Sequence, residues 1–427
     1  RSESIKALDF VIQRHDVLRT CVLSSGLSQS VQVVLREVSL AVDELSIDND
    51  RDTLPQIEKL IMPDKLYMDL TKAPLLQIKI ADDVTNGAHY LVLQHHHLMM
   101  DHIGTAKIRE EIALYLSGEQ KLFPTPALYR DFIGHTLNKV KSGEGENYFS
   151  NLYNGVEIPS YPFGLTDTKI DGSHEIFTAQ ATLERDLSDN LRRISGELLM
   201  SPAAFFHAAF GMVVAKCSGT QHALFGSVLL GRLQGARGSE ASLGLFMNTL
   251  PILLELKGSV LDFINHTNKR LQELLEHEQM PLSKVHQWSG IPNNTPLFSA
   301  LLNYRHSAKQ LANTDFDLGG ELLSGQHRSN YPFSLDVDDF GDDFGVMARI
   351  SGLSASPSAV ISYTTEALTL LLEHIDKVPT TNVNKLSIIP SGEKNKLLEV
   401  FNDTGSDYPV DSTLVGLFEA QVAKTPD

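Results

Sequence analysis

Apolar residues recur at helical spacing near the start of the chain: Ile5, Leu8, Val11, Ile12 and Leu18. That period puts them on one face and predicts a helix ending in Arg14-His15-Asp16-Val17-Leu18-Arg19-Thr20. Val31 to Leu35 reads as a strand. Pro74 to Ala81 and Tyr90 to His97 are apolar runs joined by Asp82-Asp83-Val84-Thr85-Asn86-Gly87, and the Asn-Gly step predicts a hairpin. On its second strand Leu91, Leu93, His95 and His97 share one face, and Val92, Gln94 and His96 the other. After Asp101, Ile108, Ile112 and Tyr115 form a helix stripe closed by Ser117-Gly118. Tyr129-Arg130-Asp131-Phe132 opens a further helix.

Periodicity fades from Pro159 to Gly172, which predicts a lobe boundary. Beyond it, Leu183 to Leu199 is helical. Ser201-Pro202 then opens a helix that is apolar nearly all round, and so is expected to be buried. Ala223 to Leu230, Asn248 to Leu254, Phe298 to Tyr304 and Val346 to Ile350 read as strands, and Val260 to Glu278 and Ser358 to Ile375 as helices. Val378 to Pro409 reads as a linker, and Leu414 to Ala423 as a short helix. Helix-and-strand order occurs twice, which predicts an α/β fold of two lobes of similar build.

The 427 residues are 42% hydrophobic and 21% charged, an ordinary globular composition. At roughly 150 residues per domain the length predicts two or three domains. No apolar run reaches the roughly 20 residues of a membrane span. The formal charge of −17 argues against nucleic acid as a partner. Cys21 and Cys217, far apart in apolar settings, read as reduced core thiols of a cytoplasmic protein. Gly231 to Gly238, with Arg232 and Arg237, is a glycine-rich loop without the spacing of a phosphate cradle.

The chemistry-bearing stretch is Gln94-His95-His96-His97-Leu98-Met99-Met100-Asp101-His102, at the end of an apolar strand. Three readings are open. It is a strand end without chemistry. It is a metal site, although Asp101 stands four residues after His97 and no second ligand cluster presents itself. Or one imidazole does acid–base or positioning work. A buried Asp101 then needs a cation, which Arg14 or Arg19 is placed to supply.

His96-His97-Leu98-Met99-Met100-Asp101 resembles the HHxxxDG signature of condensation domains of non-ribosomal peptide synthetases, in the chloramphenicol acetyltransferase-like superfamily. Arg14 to Thr20 resembles the family's RHxxLRT motif, and Tyr129 to Phe132 its YxDF motif. Leu243-Gly244-Leu245-Phe246-Met247-Asn248-Thr249-Leu250 is similar to GxFxNT, and His277 to Leu282 to the HQxxP segment. The motifs stand in the family's order and span about residues 5 to 375.

The resemblance implies two acetyltransferase-like lobes in a V, at 1–165 and 166–377, with a tunnel between them. It implies a linker over 378–412 and the start of an adenylation domain at 413–427. The chain is then one piece of a multimodular enzyme, cut at both ends. The implied partners are an upstream donor and a downstream acceptor carrier protein. The substrates ride on the carriers' phosphopantetheine, with no cofactor or metal in the domain itself. His97 is implied as the active-site residue and His96 as a packing neighbour. Asp101 is implied as the structural partner of Arg14 or Arg19. Asn303, Ser227, Tyr129, Asn248 and His102 are implied near the substrate tunnel, with Leu243 to Leu250 crossing between lobes.

His102 stands where the family has Gly. With Gln94 to His97, Phe298 to Ser307 and Ser329-Asn330-Tyr331-Pro332, it resembles the dual epimerisation/condensation subclass. That subclass inverts the donor Cα before joining it to the acceptor. Ordinary condensation, acylation by a fatty acyl starter and a silent carrier-docking module remain open.

Overall fold

The helical stripe at the start becomes α1 (Ser2–Arg14), with Ala7, Leu8, Val11 and Ile12 wholly or almost wholly buried. The computed structural model describes residues 2–48, 50–62, 66–119, 123, 125–153, 159–166, 175–233, 242–292, 294–306, 323, 331–352, 354–407 and 410–426. A 3-10 turn, Val17–Arg19, follows α1, and then β1 (Thr20–Leu23) and β2 (Val31–Val34) pair as an antiparallel ribbon. The predicted hairpin forms as β4 (Leu76–Asp83) and β5 (Ala88–His95). The short β3 (Val42–Glu44) lies parallel to β4 at the edge. α2 (Thr53–Leu60) lies between β3 and β4 in sequence, and α3 (His102–Leu116) packs on α1. α4 (Tyr129–Lys141) and α5 (Glu144–Leu152) follow. Leu243 and Phe246, from far along the chain, complete the core that α1, the hairpin and α3 begin.

The second half is built on a larger sheet, ordered β6 (Ile176–Thr182), β11 (Phe344–Ser351), β10 (Phe333–Asp339), β9 (Ala300–His306), β7 (His222–Leu229) and β8 (Asn248–Glu255). β9 runs parallel to both β7 and β10, and the other pairs are antiparallel. α6 (Arg185–Glu197) and α7 (Pro202–Cys217) precede β7. α8 (Val260–Glu276) and α9 (Leu282–Trp288) follow β8, and α10 (Pro357–Lys377) follows β11. α7 packs on β7 and β9, with α8 and α10 alongside it, themselves reaching the sheet at β8 and at β6 and β11. That position explains its all-round apolarity: a helix covered on every side gains from apolar residues at every position. Ser201 caps it by accepting from the Ala203 N–H at 3.2 Å, with Pro202 in the first turn. Strand alternation directs Phe225, Leu302, Leu335 and Ala348 toward the helices. Asn303, Asp336 and Arg349 lie on the opposite face.

Packing divides the chain into Arg1–Leu386 and Ser387–Asp427. Val383 and Leu386 are buried in the first unit, and Asn382 bridges to Ser259 at the start of α8. The first residues expected as linker therefore belong to that unit. The second unit holds α11 (Ser391–Asn395), which runs into a π turn at Lys396–Val400, and α12 (Leu414–Lys424). Among the described residues no single helix is long and apolar enough to cross a membrane.

Candidate active site

The histidine stretch leaves the sheet one residue after β5. The His96 N–H donates to the Leu75 carbonyl at 3.0 Å, extending the ladder. The chain then turns: the Met99 N–H donates to the His96 carbonyl at 3.0 Å, and the Leu98 N–H to His96 Nδ1 at 3.1 Å. Met99 and Met100 are fully buried and fix the turn to the core. His96 is half-buried. Burial, and then the neighbouring His97, push its pKa below the usual value, which suits an imidazole accepting a backbone N–H.

His97 is exposed at the tip of this turn. Its Nδ1 lies 2.9 Å from the Met100 carbonyl oxygen. A carbonyl only accepts, so Nδ1 donates, and in the neutral ring the lone pair is therefore on Nε2. The turn thus sets the tautomer, the ring orientation and the side on which the basic nitrogen is offered.

Asp101 is buried and holds the loop in several ways. It caps α3, its Oδ1 accepting from the Gly104 N–H at 2.9 Å. Its N–H donates to the Gly244 carbonyl at 3.4 Å, and its Oδ2 accepts from the Phe246 N–H at 3.4 Å. Its cation is Arg232, whose Nη2 lies 3.2 and 3.1 Å from the two carboxylate oxygens. Arg232 also donates to the Ser242 carbonyl at 3.0 Å, and its guanidinium lies 4.0 Å from the centre of the Phe246 ring. The pair therefore joins the histidine loop to the segment that starts β8.

The expected pairing of Asp101 with Arg14 or Arg19 is corrected. α1 crosses α3 further along, so Arg14 meets Glu111 at 3.2 Å, where His15 Nε2 also lies 3.0 Å away. Glu111 is ten residues beyond Asp101, roughly 15 Å along the helix axis, out of reach of one side chain. Arg19 donates to the carbonyls of Leu35 and Arg36 and so holds β2 to the 3-10 turn.

Two tunnel-lining expectations also change. The Tyr129 side chain is buried against Phe132 and Phe246, and its hydroxyl donates to the Leu245 carbonyl at 2.6 Å. It packs so closely on Gly244 that a Cβ there would lie 2.2 Å from its ring. Ser227 faces the helices and is buried. Its hydroxyl donates to His207 Nε2 at 2.8 Å, while His207 Nδ1 donates to the Ala203 carbonyl at 2.7 Å. Strand alternation turns Ser227 away from the face that carries Asn303.

Asn248 is half-buried, and its Nδ2 donates to the carbonyls of Glu278 and Met280 at 2.9 and 2.7 Å. It fastens the His277–Leu282 segment to the start of β8. Asn303 is half-buried and donates to Asp336 at 2.8 Å. His102 is the first residue of α3. Tyr331 stacks on Phe298 at 5.3 Å. Ser307, Ser329, Asn330 and Arg237 lie outside the described residues. Among the described residues no group of three or more His, Cys, Asp or Glu is placed to hold a metal ion.

Arg232 is the site residue that motif reading missed. Its signal was present: an arginine directly after Gly231, in a loop following a buried strand. Gly231 has φ +67°, and a Cβ there would lie 1.8 Å from the Phe246 carbonyl oxygen. Only glycine lets the chain pass close enough for Arg232 to reach Asp101.

The sequence profile of the condensation domain family matches residues 5–398. Malpibaldin synthetase of Mortierella alpina is 35% identical over 439 residues, which cover 99% of this chain and 8% of that synthetase. Malpinin synthetase of the same organism is 36% identical over 429 residues, covering 99% of this chain and 5% of its own length. The chain thus spans a small part of these relatives. Among solved structures, holo-AB3403, a four-domain nonribosomal peptide synthetase bound to AMP and glycine, has the same fold. It superposes with a TM-score of 0.76 at 15% identity, over 99% of this chain and 33% of that one. With the profile spanning most of its length, this chain belongs to the condensation domain family.

Proposed function

We propose that this chain forms an amide between a donor acyl or peptidyl thioester and an acceptor aminoacyl thioester, each held on the phosphopantetheine of a carrier protein. The observation that carries the reading is the 2.9 Å bond from His97 Nδ1 to the Met100 carbonyl, which leaves Nε2 basic at an exposed position. The acceptor amine attacks the donor carbonyl, so a C–N bond forms and the C–S bond breaks. His97 Nε2 orients the amine and takes its proton, which then passes to the departing thiolate. Asp101 and Arg232 hold the loop and do not exchange protons with substrate.

The wider setting follows the same reading. The two halves, 1–165 and 166–377, act as lobes flanking a tunnel, with Asn303, Asn248 and His102 near the substrate path. The chain works in the cytoplasm between an upstream and a downstream carrier, and 413–427 leads into an adenylation domain. His102 in place of the family's glycine, with Gln94 to His97 and Tyr331-Pro332, supports donor epimerisation as a first step. A base removes the donor Cα proton, the thioester carbonyl holds the enolate charge, and the proton returns on the other face.

The test is reconstitution with an L-aminoacyl donor carrier and an aminoacyl acceptor carrier, with chiral analysis of the product. A D-L dipeptide is expected. An L-L dipeptide would overturn epimerisation and leave condensation standing. Carrier binding without any product would overturn both and favour a docking module.

A further inference from the structure

The face of the larger sheet opposite Phe225, Leu302, Leu335 and Ala348 carries at its centre a polar network that amide formation does not use. Asn303, Asp336 and Arg349 come from β9, β10 and β11, three adjacent strands. The Asp336 side chain is only 7% exposed. It accepts from Asn303 Nδ2 at 2.8 Å and from Arg349 Nη1, and Arg305 Nη1 stands 3.9 Å away. Arg305 is itself forked onto Asp338 at 2.9 and 2.8 Å.

The two arginines differ in what they leave open. Arg305 gives its fork to Asp338. Arg349 gives one nitrogen to Asp336, and its side chain remains 28% exposed. A guanidinium carries five donors in a rigid plane, so Arg349 keeps donors for an acceptor outside the network. Asp336 lies behind it, buried, and fixes its direction. A carboxylate that orients a half-open guanidinium prepares it for a planar oxygen ligand, because the orientation is set before binding.

We infer that Arg349, oriented by Asp336, is a specificity-determining residue that recognises a carboxylate or carboxamide oxygen on the substrate's side chain. The inference rests on the proposed function, in which Asn303 lines the substrate path, since Asn303 and Arg349 share Asp336. A side-chain oxygen from the donor and one from the acceptor present the same chemistry, so both sides are tested.

The wild-type chain is given carriers loaded with glutamate, glutamine or norleucine, first as donor and then as acceptor, with alanine opposite. On one side, glutamate or glutamine is expected to exceed norleucine in kcat/KM by about tenfold or more, since a polar site left unpaired rejects the apolar analogue. Arg349→Lys keeps the charge opposite Asp336 but loses the fork. It is expected to lower use of glutamine while holding norleucine within about twofold of wild type. The double variant Asp336→Asn, Arg349→Met removes both charges together and is expected to abolish the preference. Equal use of all three residues on both sides by the wild type overturns the inference alone. So does a proportional loss for all three in Arg349→Lys, which marks a structural role. Formation of no amide with any carrier overturns the proposed function, and the inference with it.

Discussion

Arg232 Nη2 lies 3.2 and 3.1 Å from the carboxylate oxygens of Asp101, although 131 residues separate the two in sequence. The side chains are 8% and 0% exposed. Two ions taken out of water hold each other only if both are present, so removing one leaves a buried charge. Arg232→Met is therefore expected to cost about 3–5 kcal/mol in a denaturant titration. Replacing both residues by uncharged ones of similar size is expected to cost less than the sum of the single changes. Additive losses in that double-mutant cycle would contradict the pairing.

Gly231 offers a backbone test of the same joint. Gly231→Ala places a methyl group against the Phe246 carbonyl at a position with φ +67°. Gly26 has a similar φ of +75°, but no atom lies within 4 Å of where its methyl group would stand, so Gly26→Ala isolates the strain of the backbone alone. Gly26→Ala is expected to cost about 1 kcal/mol, and Gly231→Ala clearly more by thermal or chemical unfolding. Equal costs would mean that the close pass of the Arg232 loop does not matter.

His207 gives a pH dependence with a defined sign. Burial lowers its pKa from 6.5 to about 4. The unfolded chain takes up this proton near pH 6.5, whereas the folded chain resists it until about pH 4. Its contribution is present in full above pH 6.5 and is lost as the pH falls to about 4, by up to roughly 3 kcal/mol. His207→Leu is expected to flatten that part of the stability-versus-pH curve, although it also leaves the Ser227 hydroxyl without its acceptor. An unchanged slope between pH 6.5 and 4 would show that His207 is not the titrating group.

Much of this architecture was legible from spacing. The hairpin followed from two apolar runs around Asn86-Gly87, and α7 from its cap and its all-round apolarity. His97 and Asp101 stood out because of residue type at a strand end. β10 was not legible, because Asp336, Asp338 and Asp339 make Phe333–Asp339 look like a polar loop. Those acids are tolerated in a strand only because arginines on α6, β9 and β11 pair with them. The partner of Asp101 was misread for a related reason. Arg14 and Arg19 are near it in motif order, but the crossing of α1 and α3 decides which side chains meet, and spacing along the chain does not contain that crossing. Ser227 faces the helices because strand alternation puts it on the side of Leu302 and away from Asn303, a relation that the resemblance alone does not carry.

In the proposed reaction His97, oriented by the Met100 carbonyl, handles the amine proton during amide formation. The direct test is the single-turnover rate of His97→Ala, with donor and acceptor carriers both loaded and carrier binding measured alongside. The expected result is unchanged carrier binding and a rate lower by about 10²–10⁴-fold, the usual contribution of a positioned acid–base group. Amide formation at the wild-type rate would show that His97 does not handle that proton.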